Sequence, residues 1–216
     1  ANPVSKFGLV NQKVRLAQHL AMMRLYRVGI GSKKHVFIGL FGFPGAGKGT
    51  QAERMARHWS IPHISTGDMF REIQKGQSEL AGEIRAILAA GRLVSDDMVT
   101  RLTFDRLAQN DCKRGFILDG YPRTRVQAED LQNSPFALTM LISLDVDRQE
   151  IIRRLSERRV CPTCRSIFSL SALPAGNNTT CPHDATVLVE RPDDSVDAIT
   201  TRLSIFEQNF RPVMEF

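Results

Sequence analysis

Residues 10–28, VNQKVRLAQHLAMMRLYRV, place Val10, Val14, Ala17, Leu20, Ala21, Leu25 and Val28 at helical spacing, with basic residues between them. That pattern predicts an amphipathic helix. The next six residues, GIGSKK, break it. HVFIGLF at 35–41 is a short apolar run that suits a buried strand, and glycines and a helical pattern, TQAERMARHW, follow it. FILDG at 116–120 and LTMLISLDV at 138–146 are further runs of strand length, and IPHIS at 61–65 is a weaker one. Helical stretches are expected at about 78–90, 95–109, 124–133 and 147–159. Strands alternating with helices predict an α/β fold, a parallel sheet with helices on both faces. Residues 160–193 stand apart: they are rich in Pro, Asn, Thr and Cys, have no helical period, and read as a separate small lobe.

Composition changes this picture at one end only. The formal charge is +6, but residues 1–34 hold seven basic residues and no acid. The remainder balances 22 basic against 23 acidic residues, so the basic character belongs to an N-terminal arm. No apolar run approaches the roughly 20 residues a membrane helix needs. No apolar stretch precedes a small-residue cleavage site, so a secretory leader is not expected. Of four cysteines, Cys161, Cys164 and Cys181 lie in CPTC and CPHD, and Cys112 stands alone. Close pairs in a cysteine-poor chain read as metal ligands in a reducing, intracellular compartment rather than as a disulfide framework.

The strongest chemical signal is GFPGAGKGT, Gly42 to Thr50, which follows a strand and opens a helix. Its glycines let backbone N–H groups curl inward, and these donors with the helix N-terminus suit nucleotide phosphates. Lys48 is placed for the β- and γ-phosphates and Thr50 for Mg²⁺. Asp119 ends an apolar strand, where a carboxylate can hold Mg²⁺ through water.

With these residues in view, the chain from about Val36 to Phe216 resembles the adenylate kinases of the long type, P-loop nucleoside monophosphate kinases with a zinc-binding lid. The likeness rests on GFPGAGKGTQAE, ISTGDMFR, GRLVSDD, GFILDGYPRT, RRVCPTC and RPDD, in that order. It implies a P-loop parallel sheet with a mobile AMP-binding lobe and a lid, and the Mg-dependent reaction ATP + AMP = 2 ADP. It implies core segments 36–64, 95–157 and 195–216, an AMP-binding lobe at 65–94 and a lid at 158–194, and leaves 1–35 as a basic arm outside the likeness. For ATP it implies Gly45, Ala46, Gly47, Lys48, Gly49, Thr50, Arg158, Ile167 and Phe168. For AMP it implies Thr66, Arg71, Arg92, Leu93, Val94, Gly120, Arg123, Gln127, Arg191 and Arg202, with Gln127 reading the adenine edge. Relatives acting on UMP or CMP usually carry Ala where this chain has Thr66, which favours AMP. Lys48, Arg123, Arg154, Arg158, Arg191 and Arg202 are implied as the catalytic cations. Arginine suits that work, because its planar fork binds phosphate bidentately and stays charged. Arg154 and Arg158, four apart, are expected on one helical face.

In the resembling lids two Cys pairs, or a Cys pair with a Cys–Asp pair, hold a structural zinc. Cys161, Cys164, Cys181 and Asp184 have that spacing, with sixteen residues between the pairs, and His183 is the rival fourth ligand. Three features depart from the resemblance. Glu157 stands where relatives usually carry Gly, and is expected to pair with Arg158 or to face solvent. The family's last strand and closing helix have no counterpart in this sequence. The arm resembles an organelle-targeting segment, which makes a mitochondrial location the expectation, with the cytoplasm otherwise; if retained, it could dock onto a larger assembly or an anionic surface. No specific nucleic-acid partner is expected, and a free core is expected to be monomeric. Two other readings stay open: a kinase-fold subunit of a larger assembly, and a GTP:AMP phosphotransferase.

Overall fold

The computed structural model describes residues 22–27, 35–89, 94–173 and 179–216, and these form two units. The first (the described residues of 1–42, 47–145 and 209–216) is built on a five-stranded sheet. Its strands are β1 (Met22–Arg27), β2 (Val36–Gly42), β3 (His63–Ser65), β4 (Gly115–Asp119) and β5 (Met140–Asp145), in the order β1-β5-β2-β4-β3. β2 runs parallel to β4 and β5, and β4 runs parallel to β3. A parallel sheet covered on both faces buries its central strands throughout, so these read as continuous apolar runs. Ile38, Leu40 and Phe41 of β2 and Phe116, Ile117 and Leu118 of β4 are all buried. Phe37 stacks on Phe116 at 4.5 Å between ring centroids.

Three of the helices of this unit begin where a side-chain oxygen caps a free backbone N–H group. They are α1 (Lys48–Trp59), α2 (Thr66–Lys75), α3 (Glu79–Ala89), α4 (Asp96–Leu107) and α5 (Arg125–Gln132). Ser65 caps α2, Ser95 caps α4 and Thr124 caps α5, each accepting from an N–H three residues on. Among the described residues, no helix is long and apolar enough to cross a membrane.

Two local expectations are corrected. Residues 22–27 lie within the stretch predicted as a helix, yet they form β1, antiparallel to β5 with Met22 opposite Asp145 and Arg27 opposite Met140. An uncovered edge of β5 would leave a row of unpaired N–H and C=O groups, and pairing with β1 satisfies them. The rest of that stretch lies outside the described residues.

The second unit comprises 43–46 and 146–208. It contains α6 (Arg148–Ser156), the hairpin β6 (Arg158–Val160) and β7 (Ile167–Ser169), and most of α7 (Val196–Glu215). Here the second correction falls. α6 ends at Ser156, Glu157 is its C-cap, and Arg158 is the first residue of β6. Arg154 and Arg158 therefore do not share a helical face. The chain leaves the helix because the Glu157 carbonyl accepts from Leu170 N–H at 3.0 Å and β6 pairs with β7. Among the described residues, the hairpin and its loops have a core of Cys161, Cys181 and Leu188, with Phe168 and Leu173 packed against it.

Candidate active site

The loop between β2 and α1 is shaped by its glycines. Gly42 has φ +138°, and a Cβ there would stand 2.5 Å from the carbonyl oxygen of Leu144. Gly45 has φ +84°, and a Cβ would stand 2.8 Å from Leu155 Cγ. No larger residue fits either place without moving backbone or core. Ala46 N–H donates to the Phe43 carbonyl at 3.1 Å, closing the turn. α1 then starts with Gly47 as an uncapped N-cap and no acid in its first turn, which leaves its positive end open to an anion. Lys48 Nζ donates to the Gly42 carbonyl at 2.8 Å, so the lysine lies folded back along the loop.

Asp119, at the end of β4, faces the start of α1: its Oδ2 would lie 3.5 Å from a Cβ on Gly49, one residue before Thr50. On its other side His63 Nε2 is 3.7 Å from Asp119 Oδ2, and that buried nitrogen has no hydrogen-bond partner. A carboxylate beside the start of α1, with an unfilled polar contact at its edge, suits a hydrated hard cation such as Mg²⁺.

Three of the expected AMP residues meet at the end of β4. Gly120 has φ +86°, and a Cβ there would stand 2.7 Å from Thr66 Oγ1 and 3.1 Å from Arg123 Nη2. Thr66 is buried and its hydroxyl lies 3.4 Å from the Asp119 carbonyl. Arg123 Nε donates to the Gly120 carbonyl at 2.7 Å. Arg71 is paired with Asp68, Nε donating at 3.2 Å. Gln127 is buried, its amide engaged at both ends. Its Nε2 donates to Asp96 Oδ1 at 2.7 Å, and its Oε1 accepts from Arg123 N–H at 2.7 Å. Val94 is half-buried, and Arg92 and Leu93 lie outside the described residues.

In the second unit three of the expected cations, Arg154, Arg158 and Arg202, are held by carboxylates. Asp194, with a side chain only 3 % exposed, accepts from Arg158 Nε at 2.6 Å and also from Arg158 Nη2. Arg202 Nη1 reaches the same carboxylate at 3.2 Å and Asp193 Oδ2 at 3.0 Å. Arg191 closes this turn, its carbonyl accepting from Asp194 N–H at 3.0 Å. Arg154 Nε donates to Glu150 at 2.7 Å, and Arg153 with Arg154 holds the Glu150 carboxyl down at about 2. Glu157 neither pairs with Arg158 nor simply faces solvent. Its carboxylate accepts from Ser169 at 2.7 Å, from Ser171 at 2.5 Å and from Arg153, and the two hydroxyls lead in lowering its pKa to about 2. Asp194, Glu150 and Asp96 are residues the sequence reading gave no role. The i,i+4 spacing of Glu150 and Arg154 signals one pair; the others join residues far apart in the chain.

CPTC and CPHD fold as two matching turns. Cys161 N–H donates to Ser166 and Arg165 N–H to Cys161; Cys181 N–H donates to Thr186 and Ala185 N–H to Cys181. Arg165 and Ala185 both take positive φ, 62° and 58°. One ligand atom from each of Cys161, Cys164, Cys181 and Asp184 lies within 4.8 Å of the others. His183 Nδ1 instead sits 3.2 Å from Ser166 Oγ and 3.8 Å from Cys164 Sγ. Hydrogen bonding from Ser166 lowers the Cys164 thiol to about 6, whereas burial pushes Cys181 up to about 11. A bound cation reverses the second shift, since a coordinated thiol is deprotonated. The donor set, three thiols and a carboxylate in a closed cluster, fits a tetrahedral soft-ligand cation. Of the two residues expected against the ATP base, Ile167 is 45 % exposed, while the Phe168 ring packs into the lobe's core with His183 edge-on at 5.5 Å.

Comparison with known proteins agrees with this geometry. A family model described as adenylate kinase matches residues 40–216. An adenylate kinase of Finegoldia magna is 40 % identical over 181 residues, covering 82 % of this chain and 84 % of the relative. One of Thermosipho africanus is 42 % identical over 179 residues, covering 81 % and 84 %. One of Caldanaerobacter subterraneus is 39 % identical over 181 residues, covering 82 % of each. These relatives are bacterial and give no support to the mitochondrial expectation. The phosphate loop, the parallel sheet that carries it and the extent of these matches together place the chain in the adenylate kinase family, as an enzyme that transfers phosphoryl groups to nucleoside monophosphates.

Proposed function

We propose that this enzyme transfers the terminal phosphoryl group of ATP to AMP, reversibly, giving two ADP. An oxygen of the AMP phosphate attacks the γ-phosphorus. As that O–P bond forms, the bond from the γ-phosphorus to the β–γ bridging oxygen breaks, and the departing ADP keeps the electron pair. The attacking oxygen is already charged, so no protein base is required. The work left to the protein is positioning and neutralisation. The cations that the resemblance implies for this work are Lys48, Arg123, Arg154, Arg158, Arg191 and Arg202, with the open N-terminus of α1. Asp119 and Thr50 would hold Mg²⁺, which when bound neutralises the β- and γ-phosphate oxygens. Cys161, Cys164, Cys181 and Asp184 would hold a structural Zn²⁺ with no part in the chemistry.

The observation that carries this reading is the contact of Gly120 with both Thr66 and Arg123 beside the carboxylate of Asp119. It offers a hydroxyl and a guanidinium to an acceptor phosphate at the end of the strand next to the phosphate loop. The test is ADP formation from ATP and AMP with Mg²⁺, run in parallel with GTP as donor. Lys48→Met and Arg123→Ala should each lower the rate by about a thousandfold. Purified, metal-loaded protein that forms no ADP overturns the proposal, and equal rates with GTP overturn the choice of donor.

A further inference from the structure

Gln127 is gripped from two sides by partners of opposite and fixed character. Asp96 Oδ1 is a carboxylate oxygen and can only accept from the Gln127 Nε2 group, 2.7 Å away. Arg123 N–H is a backbone donor and can only donate to Oε1, also at 2.7 Å. The surroundings hold these partners in turn. Asp96 opens α4, and its second oxygen accepts from Thr124 Oγ1 at 2.9 Å. Thr124 Oγ1 also caps Gln127 N–H at 3.2 Å, and the buried Tyr121 hydroxyl donates to the Gln127 carbonyl at 3.2 Å. Rotating the amide by half a turn would set an oxygen against a carboxylate and an NH₂ against an N–H. Both hydrogen bonds would be replaced by repulsions in a site that is almost fully buried.

A primary amide has two N–H donors and two oxygen lone pairs. Among the described residues the two contacts use one of each, leaving one N–H and one lone pair on the two ends of an amide whose sense is fixed. A 6-aminopurine presents a matching pair, an acceptor at N1 and a donor at the 6-amino group. A 6-oxopurine presents the reverse, a donor at N1 and an acceptor at O6, and would need the amide turned over. We propose that Asp96 is a positioning residue that locks the Gln127 amide in the one orientation that receives a 6-aminopurine and rejects a 6-oxopurine. This rests on the reading that Gln127 meets the base of the acceptor nucleotide. It extends that reading from which residue reads the base to what sets the sense of the reading.

The test is Asp96→Asn, compared with the wild type using AMP and IMP as acceptors. Asparagine keeps the shape, and its side chain can still accept from Thr124. It can also donate to a turned Gln127 amide, so one of the two locks is lost. KM for AMP should rise roughly tenfold, and the preference for AMP over IMP in kcat/KM should fall by a similar factor. kcat at saturating AMP and KM for ATP should not move. Folded D96N protein with KM for AMP and the AMP-to-IMP ratio both within twofold of wild type overturns the lock and leaves the AMP reading intact. Failure of the underlying reading looks different: Gln127→Ala would then leave KM for AMP unchanged. Should D96N not fold, NMR of the ligand-free wild type decides. One Gln127 side-chain N–H proton should be protected from solvent exchange, and two freely averaging, exchanging protons overturn the proposal.

Discussion

Removing the carboxylate of Asp194 should loosen the second unit by an amount its hydrogen bonds rank in advance. The group is 3 % exposed and faces two guanidiniums, Arg158 at 13 % and Arg202 at 30 % side-chain exposure. Arg158 brings two bonds of fork geometry, one from Nε at 2.6 Å; Arg202 brings one from Nη1 at 3.2 Å and has a second acid, Asp193, to fall back on. Breaking a buried pair by deleting one partner costs about 3–5 kcal/mol, because the other charge is stranded. Arg202 can turn to water and to Asp193, so the lower end, about 3 kcal/mol, is expected for Asp194→Ala. In a chain of this length that corresponds to about 6–12 °C of melting temperature if unfolding is cooperative. Double-mutant cycles separate the two arms. Charged hydrogen bonds contribute about 1.5–3 kcal/mol each, so the Asp194–Arg158 coupling should exceed the Asp194–Arg202 coupling, with Arg→Met as the second change in each cycle. Urea midpoints give stability, and hydrogen exchange at 158–160 and 191–202 shows where the loosening falls. A larger coupling to Arg202, or no coupling above about 0.5 kcal/mol to either arginine, would refute the view that this carboxylate organises the pair.

Gly120→Ala should raise KM for AMP at least about tenfold with little change in KM for ATP. The left-handed backbone costs alanine about 1–2 kcal/mol, and the new methyl would stand 2.7 Å from Thr66 Oγ1; initial-rate kinetics with each nucleotide varied will show it. The Glu157 carboxyl sits at about 2, below its ordinary 4.5, so its contribution to stability is complete above about 4.5 and is lost as pH falls toward about 2. Glu157→Gln should therefore flatten the fall of the urea midpoint in that window, and an unchanged slope would contradict the assignment. Chelation should expose 158–194 to limited proteolysis before the sheet unit is cut, because a core as small as the three buried residues found among the described ones cannot hold that lobe alone. Equal protection with and without chelator would count against a structural metal.

Much of the fold was legible in the chain. β5 lies within the apolar run that announced it, β2 and β4 each overrun theirs by one residue, and α3, α4 and α5 fall within a residue or two of the helical patterns. Both are local signals, since side-chain period and capping residues act over a few positions. α2 escaped, because ISTGDMFR was read only for its chemistry. The N-terminal stretch misled for the opposite reason: its apolar spacing is helical, yet at Met22–Arg27 pairing with the free edge of β5 overrides it. Likewise Arg154 and Arg158 look like helix neighbours until the chain turns at Glu157 into a hairpin.

The sequence by itself determined the phosphate loop, the alternation that makes a parallel sheet, and the two turns that carry Cys161, Cys164, Cys181 and Asp184. In each, the groups that act together lie within a few residues and their spacing is the information. Only the tertiary structure decided that Asp194 lies against both Arg158, 36 positions away, and Arg202, 8 away. It likewise decided that Asp96 grips Gln127 across 31 positions. Such pairs carry no local period. They exist because packing brings acids and donors into places from which water is largely excluded, where a buried donor or acceptor without a partner is costly.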